Sequence, residues 1–160
     1  MPLSIVASGL LRFFIQFLLF NAVLTYYVFK GEVSFSFNIE ILLLPFLVIL
    51  MAGFSLGFGM IITSLTTKYR DLSLFIGFGI GLLMYATPVI YPMNAVPEKY
   101  IFLVKSNPIS PIVETFRYAF LGSGMFSIKD LLYSLICMVI TLFIGVITFS
   151  KVEQNFMDTV

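Results

Sequence analysis

The chain has 160 residues, of which 60% are hydrophobic and 11% charged, about half the charged share of an ordinary soluble domain. With a mean hydropathy of +1.08, it has too little polar surface for a water-soluble fold, and the bilayer is the expected solvent. A net charge of +1 without a basic stripe speaks against nucleic acid as a partner.

Charges divide the sequence into runs. Phe13–Phe29, Ile41–Thr67, Leu72–Pro97 and Leu131–Ser150 contain none. A membrane span takes about 20 residues at roughly 1.5 Å each. Four transmembrane helices are therefore predicted, near 6–29, 40–66, 72–91 and 130–150, in one transmembrane domain covering 1–160. The first requires Arg12 to snorkel towards the headgroups. No basic leader precedes it, so a cleaved signal peptide is not expected.

The boundaries carry helix-start chemistry. Asn38 can cap the second helix with Glu40 in its first turn, and Asp71 can cap the third. Ser127 and Asp130 have capping-box spacing before the fourth. Tyr26 and Tyr27 before Lys30 read as an interfacial belt. The third helix is expected to stop by Tyr91, because Pro88 and Pro92 interrupt it. The connection 93–128 then predicts a helical hairpin. One short helix runs from Pro97-Glu98 to a break at Asn107-Pro108. A second starts at Ser110-Pro111 and stops at Gly122, with Ile112, Phe116, Ala119 and Phe120 on one stripe. Neither is long enough to cross, so the hairpin lies at the interface or dips into it.

No phosphate-binding G-x-x-x-x-G-K-[ST] motif is present. Histidine is absent, the only cysteine is Cys137, and no acid pair lies within a span. No cofactor, metal or catalytic residue is expected, and energy for any transport must come from another subunit. Gly53 and Gly57 form a G-x-x-x-G pair, and Gly77 and Gly81 follow in the next helix. They predict close packing between the second and third helices, or else a subunit seam. Lys68, Tyr69, Arg70 and Asp71 read as an anchoring turn or as a docking point for a soluble partner. Tyr85 and Tyr91 flank the bend at Pro88, where aromatic faces suit either the membrane belt or a sugar path. Glu114 and Arg117, three apart, read as a structural pair. Positive charge in the short loop at 66–72 favours a cytoplasmic position for it. Lys99, Lys105, Arg117 and Lys129 in the long connection leave orientation open on charge alone.

The run from Gly57 to Tyr100, with TTKYRDL and TPVIYP, then NPISPIVETFR and a tail of the form F-x-K-x-E-x-x-F-x-D, resembles the second half of permeases of type-2 ABC exporters. The most similar group exports O-antigen, capsule or teichoic-acid polymers. The resemblance implies a permease without its own ATPase site, in the bacterial inner membrane, with both termini cytoplasmic. Its implied partners are an ABC ATP-binding subunit, a second permease copy and a lipid-linked glycan. It assigns Lys68, Tyr69, Arg70 and Asp71 to a cytoplasmic coupling loop. Pro88, Tyr91 and Pro92 fall at the outer mouth, and Asn107, Pro108, Glu114 and Arg117 on an outer gate hairpin. Such permeases have six spans. The four here correspond to the third to sixth, so the chain is expected to be a fragment or a split product. The alternatives are a type-2 permease for a drug, ion or lipid, and a non-transporting membrane protein.

Overall fold

The computed structural model describes residues 2–31, 39–69, 71–89, 91, 93, 96–122, 124 and 126–157. The described residues form helices and turns: α1 Pro2–Phe29, a 3-10 turn Ile39–Leu43, α2 Leu44–Lys68, α3 Leu72–Ala86, α4 Glu98–Ser106, α5 Ser110–Leu121 and α6 Ile128–Met157. The expected class, an all-α integral membrane protein, is the class observed. Among the described residues three helical segments are long and apolar enough to cross a membrane, Ala7–Phe29, Ile41–Thr67 and Ile128–Glu153.

The fourth apolar segment is a helix, as expected, but a shorter one. α3 ends at Ala86 after 15 residues, about 22 Å of helix against roughly 30 Å of hydrocarbon. The cause is local. Thr87 precedes Pro88, and a residue before proline is pushed out of the helical region; Thr87 sits at φ −104° and ψ 137°. Pro45 marks the start of α2. It stands in the first turn of that helix, where its missing N–H costs nothing. The expected start near residue 40 is instead the 3-10 turn.

The core is the contact between α2 and α6. Leu47, Leu50, Phe54, Leu131 and Met138 pack together with Ile112 of α5. Glycine permits the close approach. A Cβ on Gly57 would stand 3.0 Å from Leu142 N, and one on Gly145 would stand 2.7 Å from the Gly57 carbonyl oxygen. Gly53 also faces α6, but there a Cβ would meet only the flexible side chain of Met138. The Gly53–Gly57 pair therefore serves α2–α6 packing, and the expectation that it packs against the third helix is corrected. Gly77 and Gly81 of α3 have no atom within 4 Å of where a Cβ would stand.

The register of this contact fixes direction. Gly53 lies opposite Met138, and Gly57 opposite Thr141, Leu142 and Gly145, so α2 and α6 run parallel. The connection between them must carry the chain back along the pair, and α3 is its long apolar piece. Hydroxyls within the long helices are satisfied locally, as hydrocarbon demands. Ser64 Oγ donates to the Met60 carbonyl at 2.7 Å and Thr141 Oγ1 to the Cys137 carbonyl at 2.8 Å.

The hairpin forms as expected, α4 ending before Asn107-Pro108 and α5 ending at Gly122 with φ 63°. Its expected stripe points into the bundle. Ile112, Ala119 and Phe120 are buried, and Phe116 and Phe120 meet Phe17 and Phe20 of α1 at ring separations of 5.4–6.5 Å. The hairpin thus dips into the bundle. After α1, Lys30 Nζ lies 5.3 Å over the Tyr26 ring, a cation–π contact.

Candidate functional site

The break in α3 creates a problem that the rest of the site solves. A helix that stops leaves its last carbonyls without amide partners. Pro88 offers no N–H to continue the ladder, and in a membrane each free carbonyl costs several kcal/mol. The last carbonyls of α3 are met nearby, that of Leu83 by Thr87 Oγ1 at 3.0 Å, and Arg117 of α5 supplies donors to the carbonyls of the turn that follows. Its Nη2 donates to the carbonyls of Pro88 and Val89, both at 3.1 Å, and its Nη1 to the Tyr91 carbonyl at 3.4 Å. The same Nη1 donates to Glu114 Oε1 at 2.8 Å. Glu114 is 3% exposed. The pair read from spacing alone is thus buried, and it ties α5 to the end of α3 across 26–29 residues.

Asn107 makes a second tie. Its Nδ2 donates to Thr87 Oγ1 at 2.9 Å and, at 3.5 Å, to the Ala86 carbonyl. Its Oδ1 accepts from Ile109 N at 3.0 Å. Asn107 therefore starts α5 and holds the end of α3 at once. The expected cap, Ser110, lies one residue inside the helix, whose N-cap position is Ile109. Pro108 is held from the other side. Ser134 Oγ of α6 donates to its carbonyl at 2.7 Å, and Tyr133 Oη to the Ser106 carbonyl at 2.8 Å. The corner of the hairpin is clamped between α3 and α6. Thr87, Tyr133 and Ser134 are parts of this arrangement that the sequence reading does not single out. A small polar residue inside an apolar helix was the available signal.

The remaining predicted residues fall elsewhere. Pro88 is fully buried and the Tyr85 ring is 68% exposed. Tyr91 Oη donates to the Tyr85 carbonyl at 2.9 Å, which folds the residues after the bend back onto α3. The turn at 68–71 follows the far end of α2. The hairpin meets the 3-10 turn at its near end. The two regions are thus separated by the length of α2, 25 residues or about 37 Å. Tyr69 is half-exposed, and its N–H closes on the Leu65 carbonyl at 2.8 Å. Asp71 occupies the N-cap position of α3, but its side chain makes no capping bond there. Its backbone is already helical, at φ −68° and ψ −24°, whereas a capping side chain needs an extended backbone to reach back. Arg70, Pro92 and Asn38 lie outside the described residues, as do the side chains of Lys68 and Glu40.

An apolar cavity of about 580 Å³ opens between α1, α2 and α5, with Phe13, Leu47, Met51, Val89 and Phe116 in its wall and Ser55 its one hydroxyl side chain. Such a wall suits hydrocarbon and offers a sugar almost no hydrogen bonds. Among the described residues no group of three or more His, Cys, Asp or Glu could hold a metal ion.

Long apolar helices with internally satisfied hydroxyls and a parallel α2–α6 core, with a short helical hairpin packed on it through α5, together define a multi-pass α-helical membrane protein. The ABC-2 type transporter family matches residues 1–121, three quarters of the chain, and the chain belongs to that family. Two curated relatives from Klebsiella pneumoniae, each named O-antigen export system permease protein RfbA, are similar to it. One is 27% identical over 157 residues, covering 98% of this chain and 58% of the relative. The other is 28% identical over 116 residues, covering 72% of this chain and 44% of the relative. The chain thus spans about half the length of these relatives.

Proposed function

We propose that this chain forms membrane-spanning structure of the permease in an ATP-driven exporter, and that the exporter moves a lipid-linked polysaccharide of the O-antigen type across the bacterial inner membrane. The observation that carries the reading is the family match, joined by similarity along nearly the whole chain to a permease named for O-antigen export. The permease itself makes and breaks no bonds. ATP is hydrolysed on an ABC subunit, and a second permease copy completes the conduit.

In this reading Lys68, Tyr69, Arg70 and Asp71 face the cytoplasm and receive the motion of the ATP-binding subunit. Both termini are on that side. α2 and α6, locked by Gly53, Gly57 and Gly145, transmit the motion as one unit. α3, extended by the turn at Thr87–Val89, recrosses the membrane and brings Tyr85, Pro88 and Tyr91 to the outer mouth. There α4 and α5, held through Asn107, Pro108, Glu114 and Arg117, act as the gate. Gly77 and Gly81 present an open face of α3 to a neighbouring chain.

The test is export in cells carrying the intact transporter. Removing the chain should abolish surface display of the polymer while its cytoplasmic synthesis continues. Arg70→Ala should uncouple ATP hydrolysis from export. Undiminished display without the chain would defeat the permease reading, and undiminished display with Arg70→Ala would defeat the coupling role.

A further inference from the structure

The first turn of α5 leaves nothing for an anion. Asn107 Oδ1 accepts from Ile109 N at 3.0 Å, the Asn107 carbonyl from Ser110 N at 3.0 Å, and the Ile109 carbonyl from Ile112 N at 3.1 Å. Pro111 has no N–H. The usual anion site at a helix start is therefore closed.

Beside this turn lies a small hollow of about 30 Å³, lined by Met93, Lys105, Ser110, Pro111, Glu114 and Asp130. It has room for a water or a single hydroxyl group. Ser110 in its lining is 1% exposed, and its Oγ has no hydrogen-bond partner among the described residues. A buried hydroxyl in that position is costly and calls for a visiting donor or acceptor.

The surrounding charges narrow the visitor. Lys105 and Asp130 stand exposed at the rim, Glu114 is buried, and Arg117 is bonded to Glu114 at 2.8 Å. Arg117, outside the lining, offsets Glu114, and Lys105 and Asp130 oppose each other at the rim, so no single charge dominates the hollow. Lysine donates, carboxylate accepts and serine does both. That set fits a neutral polyol, one of whose hydroxyls enters while its ring rests outside near Met93 and Pro111.

We infer that the Ser110 hollow is a sugar-contact point on the gate hairpin, taking one hydroxyl of the exported glycan. The inference rests on the export reading above. It is tested with the full chain in lipid nanodiscs by saturation-transfer NMR, using methyl glycosides of glucose, galactose and mannose as probes, with inorganic phosphate and choline as charged controls. At least one glycoside should receive saturation. Ser110→Val, which fills the hollow, should reduce the signal about fivefold or more, the worth of one or two lost hydrogen bonds. Ser110→Ala, which removes the hydroxyl without adding bulk, should also reduce it. Circular dichroism of both variants should match wild type, so that a lost signal is not a lost fold.

Equal signals from wild type and Ser110→Ala would overturn the inference, as would saturation of phosphate or choline in place of the glycosides. Silence of every glycoside with the wild type would do so as well, leaving water as the occupant. If export in cells still depends on the chain in those cases, the permease reading survives without this site. Serine-dependent glycoside binding by a chain that export does not need would leave the site and remove the permease.

Discussion

Replacing Arg117 by alanine should be the most damaging single change at the hairpin. Arg117 makes two carbonyl bonds at 3.1 Å, a longer one at 3.4 Å, and an ion pair at 2.8 Å. Its side chain is 17% exposed, and that of its partner Glu114 is 4% exposed. Removing one member of a buried pair costs about 3–5 kcal/mol, most of it the penalty of the stranded charge. Lost bonds between carbonyls and a charged donor add about 1.5–3 kcal/mol each when taken singly. These terms overlap, so a total near 5 kcal/mol is expected. Glu114→Gln combined with Arg117→Met removes both charges and leaves only the carbonyls unmet. The double variant should therefore be more stable than Arg117→Ala by about 2 kcal/mol. Arg117→Lys keeps the pair but loses the fork that reaches several carbonyls, and should cost about 1–3 kcal/mol. Reversible unfolding of the chain in mixed micelles, titrated with denaturing detergent and followed by circular dichroism, measures all three. An Arg117→Ala variant within about 0.5 kcal/mol of wild type, the range of ordinary surface substitutions, would refute the reasoning. So would a double variant no better than the single one.

Other substitutions test separate contacts. Gly145→Val should separate α2 from α6 and destabilise the chain by about 1–3 kcal/mol in the same titration, because backbone already fills the space. Gly77→Ala and Gly81→Ala meet open space and should each stabilise the isolated chain by about 0.5–1 kcal/mol; a loss of assembly in the intact transporter alone would mark that face as a seam between chains. Asn107→Ala should cost about 1–2 kcal/mol, since it frees Ile109 N and the Thr87 hydroxyl together. Ser134→Ala should loosen the hairpin from α6 and speed hydrogen exchange at α5 amides with little change at α2.

What the sequence made legible was governed by neighbours in the chain. The lack of charge over Ile41–Thr67 marks a long apolar helix whatever surrounds it. Asn107-Pro108 and Gly122 punctuate the hairpin because their backbone preferences are local. The proline at position 45, two residues into the α2 helix, gave an equally local signal for its late start and was not read. Partners remote in sequence were less accessible. A glycine pair announces that something approaches closely, and Gly53 and Gly57 carry no mark to say that α6 is the neighbour. Spacing revealed the ion pair of Glu114 and Arg117. It could not reveal that the other donors of the guanidinium reach carbonyls 26–29 residues away, since any backbone carbonyl is the same acceptor.

The clamp explains why a charged residue belongs in so apolar a chain. The break at Pro88 exposes the carbonyls of the turn after α3, and hydrocarbon supplies no donor for them. A single neutral side chain has at most two donors, whereas a guanidinium has five in a fixed fork. Its positive charge then needs an acid close by, and Glu114 lies one turn earlier on the same helix. The break at Pro88, the arginine and the glutamate thus form one solution, in which each residue creates the need for the next. Drawing α5 away from α3 would strand the carbonyls and the charge together. The hairpin and the end of α3 are therefore bound to move as one body, and in the export reading proposed above any opening beside them has to occur along another surface. The thinly packed one is the outer side of α3, where Leu74, Phe75 and Phe78 are 71–81% exposed and no residue of the helix is buried. A cysteine pair joining residues 87 and 107 should accordingly leave export intact, whereas cross-links from residue 78 to a neighbouring chain should arrest it. Export blocked by the 87–107 link would show that the hairpin parts from α3 during transport, and the single-body argument would fail.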